Sequence, residues 1–153
     1  MPTVQHEDEL RTLAAQPIGA AIFVEETQES LLAVGNVVPH SASKLWWMQQ
    51  CVWIPDHALR RITMKHPIFT DHLAAIRAAL DEPIGIYTGE QLPNSVLILA
   101  LGDTLRKQGL LQSRSVTFVD AVIEFRSVTG GMYLRLFHFA PASRNRGGIR
   151  LWP

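Results

Sequence analysis

The sequence predicts an α+β fold, with helices packed on one antiparallel sheet of about four strands and an N-terminal helix and β-hairpin ahead of them. Three features lead to that expectation. Residues 116–125 and 132–139 read as strands around Gly130-Gly131, a glycine pair of the kind that closes a tight hairpin. Phe69, Leu73, Ile76 and Leu80 recur at spacings of four, three and four, which puts them on one stripe of a helix. Residues 18–24 and 31–38 are two β-prone runs joined by the polar stretch 25–30, a loose hairpin.

In chain order, residues 3–15 read as a short helix with Thr3 as its cap. Glu7, Asp8 and Glu9 fall in its first turns, where acids suit the helix dipole, and Pro17 ends it. The loop 39–43 divides a single domain, residues 1–153, into an acidic helix–hairpin module (1–43) and a helical and sheet core (44–153). Residues 44–53, dense in Trp46, Trp47, Met48 and Trp53, read as a helix. Pro55-Asp56 opens the next one, with Leu59 and Ile62 on one face, and it stops at His66 because a residue before proline is pushed out of the α region. Pro67 suits the first position of the striped helix, and Asp81-Glu82-Pro83 closes it. Residues 84–87 form a short strand, and 96–101 are continuously apolar, as in a strand covered on both faces. Asp103 is placed to cap one helical turn. In the last strand Tyr133, Arg135, Phe137 and Phe139 share one face, while Met132, Leu134, Leu136 and His138 share the other. Residues 142–150 read as a basic, glycine-rich tail.

Charge is sorted along the chain. Residues 1–43 hold six acids against one base, a net of −5, and residues 104–153 hold eight bases against two acids, a net of +6. The formal zero hides this division. A cationic third rich in strands points to an anion-binding face, and a nucleic-acid backbone is the commonest such ligand. With 47% apolar residues the 153-residue chain supports a packed core. Cys51 is a lone cysteine, so no internal disulfide is expected. The start of the chain lacks the features of a secretory signal and the apolar runs are too short to span a bilayer, so a soluble cytoplasmic protein without a membrane partner is expected.

Several chemistries find no residues to carry them. The six histidines include no pair four apart, there is no cysteine pair, and neither phosphate-binding glycine loops nor a nucleophile elbow occur, so no metal and no cofactor are expected. Metal-free ribonuclease chemistry fits better. It needs a base for the 2′-hydroxyl, an acid for the leaving oxygen and cations for the phosphorane charge. The candidates are His66 at the helix junction with Arg135 and His138 on the last strand, and Arg61, Arg126, Arg144, Arg146 and Arg150 for nucleic-acid binding. Arg135 and His138, three apart in a strand, project to opposite faces unless a bulge intervenes. Trp46, Trp47 and Trp53 are candidates for a base-stacking platform, for a protein-contact surface, or for core.

Residues 52–67 (Val-Trp-Ile-Pro-Asp-His-Ala-Leu-Arg-Arg-Ile-Thr-Met-Lys-His-Pro), then 73–80, Glu82-Pro83 and the strand ending Tyr133-Leu134-Arg135-Leu136-Phe137-His138-Phe139, resemble the barnase/EndoU/colicin/RelE-like nuclease superfamily, phage- and toxin-associated type. The resemblance covers roughly residues 52–142. It implies two helices with a His-Pro between them, a four-stranded antiparallel sheet, and metal-free cleavage or binding of RNA, with His66 at the matching junction. Arg61 stands where a second helix histidine is often found, and no clear Ser/Thr-x-Tyr element follows the last strand. The expectation is thus a ribonuclease-like or toxin-like protein that engages RNA through its basic third. The alternative is a non-catalytic interaction module using the acidic third and the Trp-rich surface. A third arrangement folds the acidic residues over the basic face as an internal mask.

Overall fold

A computed structural model describes residues 2–13, 16–37, 47, 50–90, 92–143 and 147–152. Among them the strands are β1 (Thr3–Val4), β2 (Ala21–Val24), β3 (Glu29–Gly35), β4 (Val52–Pro55), β5 (Gly85–Thr88), β6 (Ser95–Leu101), β7 (Phe118–Val128), β8 (Gly131–Ala142) and β9 (Arg150–Trp152). The helices are a 3₁₀ helix (Glu7–Thr12), α1 (Asp56–Lys65), α2 (His72–Asp81) and α3 (Gly102–Lys107). All nine strands join one sheet in the order β1-β2-β3-β4-β8-β7-β6-β5-β9. The sheet is mixed: β1 runs parallel to β2 and β4 parallel to β8, and every other pairing is antiparallel.

This overturns the expectation of helices on an antiparallel sheet of about four strands. The sequence places residues 52–53 at the end of one helix and Pro55 at the opening of the next. The Val-Trp-Ile-Pro run of 52–55 instead suits a strand buried on both faces, and all four are buried. β4 pairs antiparallel with β3 and parallel with β8, through Val52↔Leu134 and Trp53↔Arg135, and so joins the N-terminal hairpin to the rest of the sheet. Of the rest of the expected helix, residues 44–46 and 48–49 lie outside the described residues, while Trp47, Gln50 and Cys51 are not α-helical. Residues 150–152, expected as tail, add β9 to β5. The N-terminal segment gives a two-residue strand and six residues of 3₁₀ helix rather than one helix over 3–15.

Other expectations hold locally. α1 ends at His66, whose φ of −130° and ψ of 69° are not helical, as Pro67 requires. α2 starts later than expected: the Asp71 carboxylate accepts from the Ala74 N–H as the cap, and Phe69 is bridged to Leu111 instead. The β7–β8 hairpin turns through Gly130 and Gly131, both at positive φ (81° and 156°), a region that glycine enters without a Cβ penalty.

α1, α2 and α3 pack on one face of the sheet. Ala58, Ile62, Ile76, Leu80 and Leu105 meet Ile54, Ile98, Val119, Ala121, Ile123 and Leu134 in the main core. On the second face the 3₁₀ helix sets Leu10 against Ile22, Val24, Leu31, Trp53 and Tyr133. Trp47 and Trp53 are both buried, and Trp47 tilts against Phe125 at 5.4 Å. They are core rather than a stacking platform or contact surface; Trp46 lies outside the described residues. No described helix is long and apolar enough to cross a membrane.

Candidate functional site

The register of β8 changes partway along. Ile123 pairs with Leu136 while Val122 pairs with His138, so Phe137 is an extra residue, a β-bulge. Beyond Arg135 the strand has no β4 partner, and there Arg61 of α1 donates to the Phe137 carbonyl (3.1 Å). The bulge shifts the alternation by one. Leu134, Leu136 and Phe139 all enter the main core, and Tyr133, Arg135 and His138 fall on the second face. The expected sharing of one face by Tyr133, Arg135, Phe137 and Phe139 is thus corrected, and Arg135 and His138 share a face after all.

Their surroundings differ. Arg135 is 15% exposed and grips Glu29 (18% exposed) with both Nη atoms, at 2.9 and 2.7 Å, while Nη1 also faces the Tyr133 hydroxyl at 3.5 Å. His57 reaches the same carboxylate at 3.1 Å. The Arg135 bonds hold the Glu29 pKa down at about 2 against the opposing effect of burial, with His57 adding to them. Burial works to lower the Arg135 pKa, but Glu29 and Tyr133 more than offset it and raise it. One step along, Glu7 accepts from Arg126 Nε (2.9 Å) and from the Tyr133 hydroxyl (2.6 Å). Burial, then the Glu7 bond, push the Tyr133 pKa up. Acids of the N-terminal third therefore hold the arginines of β7 and β8.

Between β6, β7 and the bulge lies a cavity of about 190 Å³. Leu97 and Val122 line it from the sheet, Gly89, Glu90 and Leu92 from the β5–β6 turn, Ser95 from the start of β6, and Phe137 and His138 from β8. The turn closes tightly on itself: the Ser95 hydroxyl donates to the Leu92 carbonyl, the Gly89 N–H to the Ser95 carbonyl (3.0 Å), and a Cβ on Gly89 would collide with the Ser95 hydroxyl. Phe137 remains 47% exposed beside it. A wider groove is bordered by His6, Glu7, Asp8 and Glu26 on the N-terminal side and by Ser127, Val128 and Thr129 on the other.

The expected site residues are only partly brought together. His138 lines the cavity; His66 and Arg135 do not. His66 sits at the α1–α2 junction, where its carbonyl accepts from His72 Nε2 at 2.8 Å. Burial, then the charges of Lys65 and His72, hold its pKa below the usual value, with the buried Asp120 acting in the other direction. Arg61 touches the bulge, Arg126 is paired with Glu7, and Arg150 lies over the Tyr87 ring at 5.6 Å while donating to the Ile84 carbonyl. Arg144 and Arg146 are outside the described residues. Glu90, Ser95 and Phe137 were missed, because the turn carrying Glu90 meets β8 only through the register of β6 and β7. Among the described residues no group of three or more His, Cys, Asp or Glu is placed to hold a metal.

Comparison with family models, with curated proteins and with solved structures returns no match.

Proposed function

We propose that the protein engages RNA at the cavity on the second face and cleaves it by metal-free acid–base chemistry, as a ribonuclease-like or toxin-like protein. The observation carrying this reading is that a carboxylate, Glu90, and an imidazole, His138, line one cavity beside the exposed Phe137 ring. The Glu90 carboxylate takes the 2′-hydroxyl proton as the 2′-oxygen attacks phosphorus. The bond from phosphorus to the 5′-oxygen breaks, and that oxygen takes a proton from the His138 imidazolium. The products are a 2′,3′-cyclic phosphate and a 5′-hydroxyl. Among the described candidates Arg126 and Arg135 are held by Glu7 and Glu29, which leaves Arg61, at the bulge, and Arg150, over the Tyr87 ring, as cations for the phosphate.

Less supports an interaction module. Trp47 and Trp53 are buried, and the exposed apolar residues Ile18, Met64, Leu101, Phe137, Ile149 and Leu151 belong to separate segments of the chain.

The test is cleavage of single-stranded RNA without added metal, alongside polarisation binding at two salt concentrations. His138→Ala and Glu90→Gln should each lower cleavage by roughly 100-fold or more while binding persists. Arg61→Ala should weaken binding and flatten its salt dependence by about one unit of slope. Cleavage unaffected by both cavity substitutions would refute the assignment.

A further inference from the structure

Resting on the RNA reading, we infer that the cavity holds a single unstacked nucleobase, so that the protein takes single-stranded and not duplex RNA. Its volume, about 190 Å³, falls below the several hundred that drug-sized ligands occupy, which leaves space for one flat ring system. Leu97 and Val122 offer the apolar surface that such a ring buries, and both belong to central strands of the sheet. Phe137 supplies the stacking partner. As the bulged residue it escapes the core that takes Leu136 and Phe139, and it stands 47% exposed at the edge of the cavity. The bulge keeps this aromatic ring out of the core, and Arg61 secures the bulge by donating to the Phe137 carbonyl, so the ring is held where a base can stack on it. The polar groups are few: Glu90 and His138 at the chemistry, and the Ser95 hydroxyl, which already donates to the Leu92 carbonyl and so is left to accept. Stacking on an apolar surface with one accepting hydroxyl favours any base over none and discriminates weakly among the four. A paired base is excluded because its Watson–Crick partner has no room.

The probe is a short, fluorescently labelled 2′-O-methyl oligoribonucleotide, which lacks the attacking hydroxyl and stays intact. A set of the same oligomer carries one abasic position at each place in turn, and a duplex of the same sequence completes it. The intact strand should bind at least about 10-fold more tightly than the duplex and than one of the abasic strands. Phe137→Ala should weaken the intact strand to a similar degree and be indifferent to the abasic position, whereas Phe137→Tyr, which keeps the ring, should behave as wild type. Phe137 is exposed, so these variants should keep the wild-type melting temperature. If every abasic strand binds like the parent while His138-dependent cleavage of ordinary RNA persists, the base pocket is wrong and the nuclease reading stands. If no oligomer binds and no RNA is cut, the nuclease reading falls and the pocket with it.

Discussion

Along β7, neighbours in sequence meet two different environments. Val119, Ala121 and Ile123 enter the dry layer beneath α1, α2 and α3, while Glu124 and Arg126 stand on the second face, in a network with Glu7, Tyr133, Arg135 and Glu29. The helix-covered face is held by volume and apolar area, which salt and pH scarcely touch. The second face is held in part by charge pairs at 13–25% exposure for the acids, Glu7, Glu29 and Glu124, so its contribution depends on protonation. The lesson is that one strand serves two purposes: its even positions are free to carry charge because its odd ones already hold the sheet to the helices.

The largest effect is expected on the helix-covered side. Ile98→Ala, at a fully buried central position, should cost about 4 kcal/mol in urea unfolding, with little change in how stability varies with pH. A loss below about 1 kcal/mol would mean that this layer can collapse around the gap, and the contrast between the faces would weaken.

The second face should respond next. Glu29 titrates at about 2 in the folded protein, below its ordinary 4.5, so its stabilisation is fully present above 4.5 and is lost as pH falls towards 2. Glu29→Gln should cost about 2 kcal/mol at pH 7, between the values for exposed and fully buried pairs, and should flatten the fall in melting temperature across that window. A variant with the wild-type acid limb would show that other carboxylates set it. The smallest effect belongs to Trp53, whose indole N–H is buried without an acceptor among the described residues. Trp53→Phe removes that orphaned donor along with some volume, and the urea midpoint should move by less than about 1 kcal/mol equivalent. A larger loss would point to a hydrogen bond made in solution.

What the sequence displayed was what depends on near neighbours. The stripe from Leu73 to Leu80, the break at His66-Pro67 and the turn at Gly130-Gly131 are local, and each is where periodicity and backbone chemistry put it. Residues 52–55 are β-prone but too short a run for periodicity to separate a buried strand from the end of a helix of large side chains; pairing with β3 and with Leu134 of β8 decides it. The bulge at Phe137 is likewise set by the register against β7 and by Arg61 from another element, and the face of His138 followed from it. The division of charge was visible in sequence, but its pairing was not. Glu29 with Arg135, and Glu7 with Arg126, are contacts across more than a hundred residues.

The parallel seam between β4 and β8 has a consequence for synthesis. Val52 waits for Leu134, about eighty positions later in the chain, and loop closure over such a span is slow to be rewarded. At ribosomal rates that interval is on the order of ten seconds, during which the nascent β2–β3–β4 segment presents an unpaired apolar edge. The stage most exposed to aggregation therefore precedes the emergence of the strand that carries His138.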